Sequence, residues 1–118
     1  MNPNLECSRI VLFVKDIRVM GAFYRDVLGL IPKVTPDDPK AWLEFQAGAV
    51  GIALHENGAP NKAKRPPKIT FYASDIGATR EILLARGAKL SKIIKTDWFE
   101  FCNGLDPENN HFSISSRP

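Results

Sequence analysis

His55 and His111 are the only histidines in 118 residues, and each lies in a run, "VGIALHE" or "HFSIS", that alternates as an extended chain does. An imidazole can ligate a metal or carry a proton. With Glu44 or Glu100 as a third group, the two histidines could supply the two-histidine, one-carboxylate set that holds non-haem iron. Arg9 and Lys68 offer different chemistry. Two fixed cations in a partly desolvated site attract a carboxylate, phosphate or enolate oxygen; the competing assignment pairs them with Glu44, Glu100 or Asp97. Cys7 and Cys102 make no C-x-x-C spacing, and Cys102 precedes "NGL" in an expected loop with no base beside it. The sequence shows no Ser-His-Asp arrangement, phosphate loop or dinucleotide fingerprint.

The elements that must position these groups are written twice. "VLFVKDIRVMGAFYRDVLGL" and "ITFYASDIGATREILLARGAKL" each read as an apolar strand, an aspartate, a helix and a glycine. Asp16 and Asp75 are expected helix N-caps, and Gly29 and Gly87 are expected to stop the helices in the left-handed conformation. The two aspartates stand 59 residues apart, and so do Arg9 and Lys68. Strand-like pieces follow each helix: "AWLEFQ" and "VGIALHE" first, then "KLSKIIKT", "WFEFC" and "HFSIS". Residues 31–40 read as a short strand and a loop. The order is β-α-β-β-β, a linker, then β-α-β-β-β. Module one covers about residues 5–57, the proline-rich linker about 58–67 and module two about 68–118. Lys62, Lys64, Arg65 and Lys68 make that linker basic, and a solvated spacer stiffened by proline accounts for it better than phosphate binding does.

Each well-patterned strand has an apolar face, expected under the helices. Ile10, Leu12, Val14, Ile52, Leu54, Ile69, Phe71, Phe112 and Ile114 lie there. The second face mixes small, aromatic and polar side chains, as a sheet curled around a cleft does. Phe13, Trp42, Tyr72, Trp98 and Phe99 could wall such a cleft; core packing is the competing role.

Apolar content of 44% and charged content of 25% are ordinary for a globular domain, and the net charge of +3 is modest. No run approaches the roughly 20 apolar residues of a membrane helix. "MNPNLECSR" lacks the pattern of a secretory signal. These features point to the cytoplasm, with neither a membrane nor a nucleic-acid partner.

Three stretches resemble the vicinal oxygen chelate superfamily, which groups glyoxalase I, bleomycin-resistance proteins, fosfomycin-resistance enzymes and extradiol dioxygenases. "VKDIRVMGAFYRDVLGL" resembles its first strand and helix, "ASDIGATREILLARGAKL" the counterpart in the second module, and "DPENNHFSIS" its D-P-D-G-N turn and last strand, with Asn109 at the glycine. The resemblance implies an α+β fold, two tandem βαβββ modules forming a curved mixed sheet around a cleft. It also implies a homodimer whose clefts the partner chain completes.

In metal-using relatives the ligands come from the first and last strand of each module. Those positions here are Arg9, Lys68, Ala53 and Ser113, none a usual ligand. The resemblance therefore implies a binder without metal or cofactor, similar in kind to the bleomycin-resistance branch. Its expected ligand is an anionic or aromatic metabolite or toxin, contacting Arg9, Phe13, Trp42, Ala53, His55, Lys68, Tyr72, His111 and Ser113. Cationic bleomycin itself does not suit Arg9 and Lys68. The alternative is a lyase, isomerase or dioxygenase of the glyoxalase type. It would use Ni, Zn, Mn or Fe at a displaced site, or Arg9 with His55 or His111 as base and no metal.

Overall fold

Two β-α-β-β-β-like modules, the second with one extra short strand, follow one another along the chain, in a computed structural model that describes residues 3–4, 6–33, 41–57 and 66–118. They fall in two units, Met1–Pro60 and Asn61–Pro118. The linker cations Lys62, Lys64 and Arg65 and most of the 31–40 loop lie outside the described residues. Among the described residues, no helix is long and apolar enough to cross a membrane.

Module one runs β1 (Arg9–Val14), α1 (Ile17–Ala22), β2 (Ile31–Pro32), β3 (Trp42–Ala47) and β4 (Val50–Glu56). Its sheet has the order β1-β4-β3-β2, with β1 parallel to β4 and the other pairs antiparallel. Asp16 caps α1 by accepting from the amides of Arg18 and Val19, and Glu56, at the end of β4, accepts from that of Ile17 at 2.9 Å. The helix continues as a π-helical turn, Phe23–Val27, whose wider winding lets Leu28 N–H reach the Phe23 carbonyl at 3.0 Å. Gly29, at φ 76°, then reverses the chain. Met20, Tyr24, Phe45, Ile52 and Leu54 are buried between helix and sheet.

Module two runs β5 (Ile69–Tyr72), α2 (Ile76–Ala85), β6 (Lys89–Leu90), β7 (Ile94–Lys95), β8 (Glu100–Leu105) and β9 (His111–Ser115). β9 lies between its parallel neighbour β5 and antiparallel β8, and β8 also pairs with β6 and β7. Asp75 caps α2 and Gly87, at φ 90°, follows it. Phe112, Ile114, Ile76, Leu83 and Cys102 are buried.

Two local expectations are corrected. "KLSKIIKT" is not one strand but two short ones, β6 and β7, because Ser91 turns its hydroxyl to the Lys92 carbonyl and receives the Asn103 amide. Cys102 is not in a loop; it lies inside β8, wholly buried on the helix side. Trp98 and Phe99 instead occupy the turn before β8, where the Thr96 hydroxyl accepts from both of their amides.

The "DPENN" turn fixes the β8–β9 register. The nearly buried Asp106 carboxylate accepts from the amides of Glu108 and Asn110 and from Asn110 Nδ2, at 2.8 to 2.9 Å. Asn109 takes φ 65°, a left-handed backbone that asparagine tolerates. Removing the carboxylate leaves part-buried donors without their charged acceptor, so Asp106→Ala is expected to lower unfolding free energy by about 2 kcal/mol. Urea titration of wild type and variant measures the difference.

Candidate functional site

The face of each sheet turned away from its helix collects most of the residues singled out above. Strand register arranges them in rows. In module one, the parallel pairing of β1 with β4 and the antiparallel pairing of β4 with β3 give Phe13–His55–Trp42, then Val11–Ala53–Glu44, then Arg9–Gly51–Gln46. In module two the rows are Tyr72–Ser115–Phe101, then Thr70–Ser113–Asn103, and then His111 beside Leu105, with Lys68 just ahead of β5. Corresponding residues on the first and third strands of these faces are 59 apart, as Phe13 and Tyr72, Trp42 and Phe101, or Glu44 and Asn103 are. The sequence repeat is therefore a repeat of side-chain positions on the sheet.

The first row of module one is aromatic. The His55 ring lies 5.7 Å from Phe13 and 5.8 Å from Trp42, centroid to centroid. Phe13 is 53% exposed and its module-two counterpart Tyr72 is 61% exposed, so core packing does not account for either. His55 and His111 do both lie on second faces, but at unlike positions: His55 corresponds to Ser115, and His111 to Gly51. Ala53 and Ser113 hold matching central places and both are buried. Glu100, considered as a third metal ligand, is on the opposite pleat of β8 from Phe101 and Asn103 and pairs with Lys95 at 3.7 Å. Among the described residues, no three His, Cys, Asp or Glu side chains gather as metal ligands would.

Sequence reasoning named Glu44 as a possible third metal ligand and as one of three possible partners of the cations, and in the structure it is the acid that Arg9 and Lys33 share. Only 7% exposed, it meets Arg9 Nε at 3.3 Å and Lys33 Nζ at 3.2 Å. Gly51, opposite Gln46 and beside Arg9, leaves room for the carboxylate: a methyl there would lie 3.0 Å from Glu44 Oε2. Burial alone would push the Glu44 carboxyl up. The hydrogen bond from Lys33 and the charges of Arg9 and Lys33 outweigh it and hold the group below its ordinary value of 4.5.

The corresponding pair in module two is Lys68 and Asn103. Lys68 Nζ donates to Asn103 Oδ1 at 3.4 Å, and an amide cannot neutralise the ammonium. Beside them, Thr70 Oγ1 and Ser113 Oγ share a hydrogen bond of 2.9 Å. Lys68, Thr70 and His111 are exposed, and this face of β5, β8 and β9 carries no Asp or Glu.

Comparison with known proteins follows this geometry. Residues 7–114 match the family described as Glyoxalase/Bleomycin resistance protein/Dioxygenase superfamily. No curated protein sequence matches the chain significantly. Among solved structures, the chain is similar to a putative glyoxalase family protein from Bacillus anthracis, with TM-score 0.80, 18% identity and coverage of 98% of this chain and 97% of the other. It is similar also to TnmS3, an antibiotic binding protein from Streptomyces sp. CB03234, with TM-score 0.78, 18% identity and 97% of each chain covered. A lactoylglutathione lyase from Agrobacterium tumefaciens gives TM-score 0.76 at 19% identity, covering 97% of this chain and 95% of that one. At these identities the likeness is one of fold.

Two measurements check the site chemistry. A carboxylate with a lowered native pKa stabilises the fold above its unfolded pKa, and that contribution disappears as pH falls through the native value. Glu44→Gln is therefore expected to lower the Tm by about 4 °C at pH 7, corresponding to about 1 kcal/mol because both cations are partly solvated. The gap should close as the pH is taken below 4.5, the ordinary carboxyl value. Burial raises the Cys102 thiol pKa, with Arg80 opposing weakly, whereas Cys7 is exposed. A thiol reagent should titrate one cysteine in the native protein and both after denaturation, and none natively in Cys7→Ser.

Proposed function

We propose, because the chain belongs to the glyoxalase/bleomycin resistance protein/dioxygenase superfamily, that it is a small-molecule-binding protein for an anionic or aromatic metabolite or toxin. The observation that carries this reading is the contrast between repeated positions. Arg9 already faces a nearly buried carboxylate, while Lys68 faces only an amide. In module one Arg9 thus shares the Glu44 carboxylate with Lys33, and the aromatic row of that face, Phe13, His55 and Trp42, suits an apolar ring. In module two Lys68, Asn103 and Thr70 offer an ammonium, an amide and a hydroxyl to oxygen atoms, and His111 adds an imidazole on the same face. Of the two cations, Lys68 is therefore the principal anion anchor.

The proposal needs no metal, since Arg9, Lys68, Ala53 and Ser113 supply no ordinary ligands. It includes a homodimer, supported by the exposed apolar side chains Val19, Ile31 and Ile82, and a cytoplasmic location, supported by the free thiols of Cys7 and Cys102. An enzymatic reading has one observation in its favour: His111 is exposed on the face that carries the Lys68 charge, where an imidazole could take a proton from a bound acid. Turnover of a bound ligand lost in His111→Gln would favour that reading over simple binding.

A calorimetric titration with inorganic phosphate and with small carboxylates tests the anchor. Lys68→Gln is expected to weaken the best of these anions about tenfold, the scale of one charge-assisted contact. Arg9→Gln should weaken it clearly less. Equal losses in the two variants, or no loss in Lys68→Gln, reject the assignment.

A further inference from the structure

The turn before β8 presents its tryptophan in an unusual way. Trp98 is 91% exposed, the most exposed large apolar side chain among the described residues. It is nonetheless held on a well-tied turn. Thr96 N–H donates to the Phe99 carbonyl at 2.9 Å, and the Thr96 hydroxyl donates to the same carbonyl at 3.0 Å while accepting from the Trp98 and Phe99 amides. A rigid turn that projects an indole into water gains nothing for folding, because the apolar area stays wet.

Beside it lies a groove of about 480 Å³ lined by Trp98, Phe99, Arg117 and Pro118, a volume typical of small-ligand sites. Its floor is aromatic. Phe99 stacks on Phe101 at 5.8 Å with planes tilted by 33°, and the Arg117 guanidinium carbon sits 5.5 Å from the Phe99 centroid. A guanidinium held over a ring still has N–H groups to offer as two parallel bonds to a carboxylate. Of the neighbouring ions, Lys95 pairs with Glu100, and the Asp97 carboxylate belongs to the turn, where it disfavours an anion unless Arg117 outweighs it. Among the described residues, Arg117 makes no ion pair.

We infer that this groove of module two is a binding site for a planar aromatic anion, its ring against Trp98 and Phe99 and its carboxylate or sulfonate on Arg117. A planar aromatic anion uses both parts of the groove, whereas a small inorganic anion would use Arg117 alone and a neutral ring the aromatic side chains alone. The site is independent of the Lys68 anchor, so either can fail without the other.

The chain has two tryptophans, so a nitrogen-15-labelled sample gives two indole N–H resonances, and Trp98→Phe identifies the one from Trp98. Titration with 2-naphthoate is expected to move the Trp98 resonance saturably. Arg117→Gln should weaken binding about tenfold, and so should replacing the probe by neutral 2-naphthamide. Lys68→Gln should leave the curve unchanged, and retained amide dispersion will show that each variant is folded. Movement of the Trp42 resonance with Trp98 still, equal affinity in Arg117→Gln, or loss of the Trp98 response in Lys68→Gln would each overturn the inference.

Discussion

In each module the first strand lies parallel to the last, β1 on β4 and β5 on β9, although a helix and further strands separate them in sequence. Parallel pairing cannot be closed by a tight turn and needs a crossover, here the one that contains the helix. The helix covers one side of the sheet and leaves the other for side chains that need not pack. A slip of one residue in this pairing would send Val11 and Thr70 into the core and Leu12 and Phe71 out of it. The rows of the second faces, and so the neighbours of every candidate site residue, follow from that register. The capped helices and the Asp106-bound turn hold it in place.

Given the register, charge separates the two halves of the repeat. Corresponding positions on β3 and β8 hold Glu44 and Asn103, a carboxylate and a shorter, uncharged amide. In module one the carboxylate sits under two cations and is held ionised against its own burial. In module two the amide gives its oxygen to Lys68 and leaves the ammonium charge open. Two cations at matching places thus carry different meanings. A nearly buried charge must be answered inside the protein, whereas an exposed one can wait for a ligand.

Local signals were legible in the residues themselves. Asp16 and Asp75 cap because a carboxylate beside free helix amides has one good use, and Gly29, Gly87 and Asn109 take left-handed backbones where their types permit. The alternation of "HFSIS" placed Phe112 and Ile114 in the core and His111 on the other face. Cys102 was misplaced because "NGL" is turn-like in composition, while cross-strand pairing with Ile114 makes it part of a strand. The turn fell earlier, where the Thr96 hydroxyl collects two amides that no periodicity announces. The partner of Arg9 stayed open between three acids for a similar reason, since linear order does not say which carboxylate a pleat brings near.

What the chain's own order determined is the double module, its caps and the two faces of its strands, because those depend on contacts a few residues long and on a period of two. What the tertiary structure alone decided is which charge is answered: Glu44 beneath Arg9 and Lys33, Asn103 beside Lys68, and Arg117 over Phe99. Such partnerships join side chains 35 residues apart in the cases of Arg9 with Glu44 and Lys68 with Asn103. They exist only once strand register has fixed distance and burial, the two quantities that set the strength of an electrostatic contact.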